Sequence, residues 1–277
     1  MPELPEVETI RRDLNKELKG RKIIRLKFYD WAKMLKPSPE AVAKAVDGKT
    51  IKDFGRRAKL LLLHLDDHET TIAIHLKLSG QLFIRKQTDS ADRFTHVILE
   101  LDKGEELRFN DLRKFGFMKV VESSGDLEKL LSEFGPEPNT TEFTFENFKN
   151  IVSKSSRAIK IVIMDQKKIA GVGNIYADEA LWRAKIHPTK RANELTKKKL
   201  KELYNAILFV IKQGIEDRGT SVDSYLTIYA TSGEHEKNLK VFRLNGEPCP
   251  RCSTIIKKTR VGGRGTHFCP KCQRRVE

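Results

Sequence analysis

All four cysteines of this 277-residue chain lie beyond residue 248, at Cys249, Cys252, Cys269 and Cys272. Their spacing is C-x2-C-x16-C-x2-C. Two such knuckles bring four thiolates to the corners of a tetrahedron about 2.3 Å from Zn2+, a closed structural site with no position left for water. Cysteines grouped this way point to metal in a reducing compartment rather than to a disulfide framework. One structural Zn2+ and an intracellular (cytoplasmic, nucleoid-associated) location are therefore expected. The N-terminus is acidic and then amphipathic, unlike a signal peptide, and no stretch approaches the roughly 20 apolar residues of a membrane span.

Lys and Arg outnumber Asp and Glu by 53 to 38, a formal charge of +15. Such an excess favours an anionic partner, because each phosphate neutralised by Lys or Arg releases counterions. Within the ribbon, Gly262, Gly263 and Gly265 flank Arg264 and read as a tight hairpin tip that turns one guanidinium outward, suited to bidentate phosphate contact.

Val7, Ile10, Leu14 and Leu18 recur at helical spacing after Pro5. Strand-like segments follow: Ile24, Leu26 and Phe28 alternate with basic residues, and 59–65, 70–78, 94–101 and 115–121 are rich in branched and aromatic residues. A short helix at 39–46 interrupts them. Beyond the Pro- and Gly-bearing stretch 135–140 the pattern turns helical, with segments at 157–165, 174–184 and 196–214. The fold class is α+β: an N-terminal β-sandwich or flattened barrel with flanking helices (1–134), a linker (135–140), a helical domain (141–240) and a C-terminal zinc ribbon (241–277).

Once Met1 is removed, Pro2 exposes a secondary amine. An α-amine has a pKa of about 7.7–8.0, so far more of it is neutral at pH 7 than of lysine. It can attack an electrophilic carbon and form an iminium. Glu3 lies beside it and Glu6 one turn further; either can move protons. On the residues alone, Pro-Glu is equally a plain helix start.

MPELPEVETIRR closely resembles the start of the formamidopyrimidine-DNA glycosylases, bacterial-type repair enzymes that excise oxidised purines. RRAKLLLLHL (56–65), HLKLSGQL (75–82), NDLRKFG (110–116), AGVGNIYADEALWRAKIHP (170–188) and GRGTHFCPKCQR (263–274) carry the resemblance along the whole chain. It implies a β-sandwich, a helix–two-turn–helix domain and a zinc finger, with damaged double-stranded DNA in the cleft between them and the enzyme acting as a monomer. It implies a bifunctional glycosylase and abasic-site lyase: Pro2 attacks the sugar, Glu3 handles protons there, Lys59 touches phosphate and assists elimination, and Arg264 grips the phosphate beside the lesion. Leu78, His96, Arg113, Phe115, Lys154, Arg157, Lys160 and Asn174 carry over as DNA contacts, with Phe115 as a wedge between base steps. Read without the resemblance, Phe115 is a core residue, Asn174 a helix cap and His96 a satisfied core histidine.

Two segments depart from the family pattern. The usual intercalating methionine is Leu78, which has similar volume. In 227–238, the Gly-x-Phe-Gln segment common in the family is absent, and Gly233 is followed by Glu234-His235-Glu236. Lesion preference is therefore open to an endonuclease VIII-like excision of oxidised pyrimidines. A catalytically dead damage-binding protein and a zinc-ribbon RNA-binding protein are rival readings of the same residues.

Overall fold

The computed structural model describes every residue except 30–31, 223 and 275–277. Glu3 and Glu6 form a reciprocal capping box that starts α1 (Leu4–Leu18), and Val7, Ile10, Leu14 and Leu18 are buried along it as the spacing predicts. In β1 (Ile23–Phe28) the simple alternation breaks. A bulge between Ile23 and Arg25 shifts the register, so Ile23 and Leu26 face inward while Ile24 and Phe28 are exposed. After β2 (Leu35–Lys36), Ser38 caps α2 (Pro39–Val46) by accepting from the Ala41 N–H.

The strands β3 (Ile51–Arg57), β4 (Leu60–Leu65), β5 (Thr71–His75), β6 (Gly80–Lys86), β7 (Thr95–Leu101), β8 (Glu105–Asp111) and β9 (Phe117–Val121) follow, then α3 (Ser124–Ser132). They form one sheet ordered β1-β7-β8-β6 and another ordered β2-β9-β5-β4-β3. Leu61, Leu63, Ile72 and Ile74 of the second sheet share a core with Leu82, Val97, Leu99 and Leu107 of the first, which makes a β-sandwich. Each such side chain contributes about 1.5–3 kcal/mol when fully buried.

The chain divides into two compact units. The first is Met1–Glu133 together with Asp217–Glu236; the second is Phe134–Glu216 together with Lys237–Glu277. The stretch 141–240, read from sequence as one domain, is thus shared between them. Residues 217–236 join the sandwich through the backbone bond from the Ile84 N–H to the Ile228 carbonyl (3.2 Å) and through Ser224, whose hydroxyl donates to the Leu78 carbonyl (3.0 Å).

In the second unit, α4 (Phe145–Ser153), α5 (Ile159–Met164), α6 (Asn174–Arg183) and α7 (Lys197–Glu216) pack around Phe148, Tyr176, Leu203 and Ile207. A hairpin of β10 (Lys257–Val261) and β11 (Arg264–Phe268) completes it. Gly262 and Gly263 make its two-residue turn with φ of 56° and 77°, the sign that a tight hairpin of this hand requires. Among the described residues no helix is long and apolar enough to cross a membrane.

Candidate active site and DNA-contact residues

Pro2 is buried and Glu3 is 2% exposed. The Glu6 carboxylate fixes this terminus: one oxygen accepts from the Glu3 N–H at 2.7 Å, the other from the Thr220 N–H at 2.9 Å. Lys59 lies in the two-residue turn between β3 and β4, beside Ala58 with φ of 53°. The turn is tied back to α1: Arg56 donates to the Ala58 carbonyl (2.9 Å) and to Glu8 (3.0 Å). Burial acts to raise the Glu8 carboxyl, but bonds from Arg11, Arg56 and Arg12 outweigh it and hold the group down to about 2. An ionised Glu8 thus sets the Lys59 turn on the helix that begins with the Pro2–Glu3 terminus.

His75 carries no motif that singles it out in the sequence, yet it belongs to this neighbourhood. Burial, and then the charges of Lys77 and Lys59, push its imidazole down to about 3. Neutral, it accepts from the Lys77 N–H at Nδ1 (3.0 Å), which leaves its proton on Nε2.

Leu78 is half-buried in the turn before β6. Arg113 and Phe115 are exposed on the loop after β8, Phe115 by 54%, with the guanidinium 5.2 Å from the ring centroid. Phe115 is therefore not a core strand residue. Asp111, which sequence reasoning passes over, builds this loop. Fully buried, it accepts from the Ser79 hydroxyl (2.5 Å) and from the N–H groups of Arg113 (3.1 Å), Phe115 (2.9 Å) and Gly116 (2.7 Å). Its only sequence signal is its place in NDLRKFG.

Two of the expected DNA contacts are not surface groups. His96 is 4% exposed, and its Nε2 bonds the Asp111 carbonyl at 2.9 Å, so it braces the loop from behind. Lys160 is 0% exposed and pairs with Asp178 at 2.6 Å. Its Nζ also donates to the Thr266 hydroxyl (2.8 Å) and the Gly265 carbonyl (3.1 Å), which leaves the ammonium no surface to offer a phosphate. Asn174, at the start of α6, donates to the same Gly265 carbonyl at 3.0 Å. Asp178 meanwhile accepts from the His267 N–H at 2.8 Å. These bonds hold the hairpin that presents Arg264, which is exposed, as are Lys154 and Arg157.

The four cysteine sulfurs lie within 4.8 Å of one another, with Cys252 3.5 Å from Cys269 and 3.4 Å from Cys272. Thiolates at about 2.3 Å from a tetrahedral Zn2+ stand about 3.8 Å apart, so the cluster fits the ion as a closed four-thiolate site. Glu179 secures the entry to the ribbon by accepting from the N–H groups of Lys240 (3.0 Å), Val241 and Phe242 (both 2.9 Å). Burial pushes its carboxyl up to about 7 against those donors.

Comparison with known proteins settles the relationship. Residues 1–118 match the formamidopyrimidine-DNA glycosylase N-terminal domain, 134–225 its H2TH domain, and 246–275 the zinc finger found in FPG and IleRS. The formamidopyrimidine-DNA glycosylase of Herpetosiphon aurantiacus is 47% identical over 274 residues, 99% of this chain and 100% of that one. The chain belongs to the formamidopyrimidine-DNA glycosylase family. The Bacillus subtilis member is 41% identical, over 99% of both chains. The Lactococcus lactis Fpg, solved with DNA containing an abasic site, superposes with a TM-score of 0.93 at 35% identity, covering 99% of this chain and 100% of that one. The chain is accordingly a DNA glycosylase of base-excision repair for oxidised purines, with abasic-site lyase activity and a structural zinc finger of four cysteines.

Proposed function

We propose that Pro2, freed by removal of Met1, is the nucleophile of this glycosylase, and that Glu3, Lys59 and Arg264 complete its machinery. The observation that carries this reading is the locked terminus: Pro2 and Glu3 are buried, the Glu3 N–H is held by Glu6, and the Lys59 turn is tied to the same helix through Arg56 and Glu8. A nucleophile so placed loses little further freedom on attack.

The lesion nucleotide leaves the stack at a cost of a few kcal/mol. The Pro2 nitrogen forms a bond to C1′ as the bond from C1′ to the damaged base breaks; the base leaves with the electron pair and takes up the proton that the Pro2 nitrogen gives up. Glu3 delivers a proton to the ring oxygen as the sugar opens to an iminium. Loss of a C2′ proton then expels the 3′ phosphate, and a second elimination expels the 5′ phosphate. Lys59 and Arg264 balance phosphate charge through these steps. Leu78, Arg113 and Phe115 fill the space left in the duplex, while Lys154 and Arg157 add phosphate contacts.

Borohydride trapping on an abasic-site duplex tests the core of this scheme. A covalent adduct mapped by mass spectrometry to Pro2, and weakened in Pro2→Gly, is expected; an adduct on Lys59 instead would overturn it. We further propose that oxidised purines are excised ahead of oxidised pyrimidines despite the altered 227–238 segment. Faster release of an oxidised pyrimidine than of 8-oxoguanine would refute that order. Action as a monomer in the cytoplasm completes the reading, and sedimentation of the enzyme–DNA complex at one protein per duplex is its check.

A further inference from the structure

The Glu234-His235-Glu236 stretch, where the chain departs from the family pattern, has a structural role that the catalytic scheme does not use. Asp217 leaves α7 and His235 returns eighteen residues later. The two close a neck. The His235 Nδ1 lies 2.7 Å from Asp217 Oδ2, the Glu234 N–H donates to the Asp217 carbonyl at 2.9 Å, and the His235 N–H donates to the Gly219 carbonyl at 3.0 Å. His235 is 3% exposed. The two backbones approach so closely that a Cβ on Gly233 would stand 2.2 Å from the Gly219 oxygen.

One peptide unit of this neck reaches the catalytic terminus. The Gly219 carbonyl and the Thr220 N–H belong to the same planar group, which turns as one body. Its oxygen is held by the His235 backbone N–H, which the clasp of the His235 side chain to Asp217 fixes in place, and its N–H by Glu6 Oε1 at 2.9 Å. The other Glu6 oxygen holds the Glu3 N–H at 2.7 Å. Gly219 lies against the same side chain, with φ of 83° and room for no Cβ, which would meet Glu6 Cγ at 2.9 Å. Rotation of the 219–220 peptide therefore breaks the bond to His235 and the bond to Glu6 together.

We propose that His235, clasped to Asp217, is a positioning residue for the Pro2–Glu3 terminus and acts through the 219–220 peptide and Glu6. The proposal rests on the reading of Pro2 as nucleophile. Its effect falls on the rate of iminium formation and not on affinity for DNA, because His235 is buried and neither partner of the clasp belongs to the DNA-contact set.

The test compares native protein, His235→Phe, His235→Gln and Asp217→Asn on an abasic-site duplex. Single-turnover borohydride trapping at saturating enzyme gives the rate, and titration of the same duplex gives the affinity. His235→Phe keeps the volume and the backbone bond to Gly219 but loses the side-chain bond to Asp217; its trapping rate is expected to fall about tenfold, or about 1.4 kcal/mol. Affinity should stay within about twofold and the melting temperature near native. His235→Gln, which retains a side-chain donor, should recover much of the rate. The variant Asp217→Asn/His235→Phe should be no slower than His235→Phe alone, as expected when both act through one contact. Unchanged trapping in His235→Phe, or a parallel fall of rate and affinity, would overturn the proposal. Absence of trapping in the native protein would instead sink the reading of Pro2 beneath it.

Discussion

Lys160→Met separates two views of a residue that the family resemblance offers as a DNA contact. The structure gives Lys160 an ion pair to Asp178 at 2.6 Å and bonds to Thr266 and Gly265, all at 0% exposure. Methionine fills similar space but leaves the Asp178 carboxylate buried without its cation. Breaking a buried pair from one side costs about 3–5 kcal/mol, whereas an exposed lysine can be replaced within about 0.5 kcal/mol. Domains are commonly stable by only about 5–15 kcal/mol, so the loss is a large part of the whole. Native-state hydrogen exchange at the amides of α6 and β11 reads the change where it arises. The opening free energy there should drop by about 3–5 kcal/mol. Lys160→Met/Asp178→Asn should recover part of it, since the orphaned charge is gone while an acceptor for the His267 N–H remains. A single variant that exchanges like the native protein would refute the assignment of Lys160 to a buried strut. Lys154→Met is the exposed comparison: stability is retained, and the slope of log affinity against log salt falls by about 0.9 if it meets a phosphate.

Three further outcomes are expected. Glu8 is held at about 2 in the folded protein against an ordinary value of 4.5; a lowered carboxyl stabilises above its unfolded value and loses that contribution as pH falls towards the folded one. Glu8→Gln should therefore cost about 1–2 kcal/mol at pH 7 in urea unfolding, and the gap to the native protein should close between pH 4.5 and 2. Phe115→Ala, at a site 54% exposed, should leave stability within about 0.5 kcal/mol but weaken binding to an abasic duplex about tenfold relative to intact duplex; equal weakening on both would deny Phe115 a wedge role. Cys269→Ser or zinc chelation should lower DNA affinity, read by titration, because the hairpin bearing Arg264 loses its metal clip; unchanged affinity would remove the ribbon from the binding surface.

What a sequence reveals here depends on how locally each signal is encoded. α1 and α7 carry continuous apolar stripes, and α2 and α6 fall within a residue of their expected ends. β8 escapes a reading of the pattern because it is covered on both faces: Leu107 and Phe109 enter the core, while Glu106 and Arg108 face away and pair at 2.8 Å. Charged residues there mask a buried strand. α3 buries none of its residues and offers no stripe to find. Among the candidate site residues, the exposed ones, such as Arg113, Phe115 and Arg264, are legible from the family motifs and turn chemistry. Lys160, His96 and Asp111 are not, because burial depends on partners elsewhere, as with Asp178 for Lys160, and no local pattern announces such a pairing. The return of 217–236 to the first unit is the extreme case, since its bond to Glu6 spans more than two hundred residues.

That return also fixes the order in which the molecule can be finished. The polypeptide passes from one unit to the other at 133–134, at 216–217 and at 236–237, so neither unit is a contiguous stretch of chain. During synthesis the sandwich strands emerge early, yet Glu6 waits for Thr220 until α4 to α7 have left the ribosome. The Pro2–Glu3 terminus, made first, is among the last parts to be completed. A truncated product ending anywhere before residue 217 lacks the neck, so an unfinished nascent chain carries Pro2 and Glu3 without the Thr220 N–H that holds Glu6. Exchange of one unit between relatives needs three matched junctions, which ties the evolution of the sandwich to that of the helical unit whose segments alternate with its own along the chain.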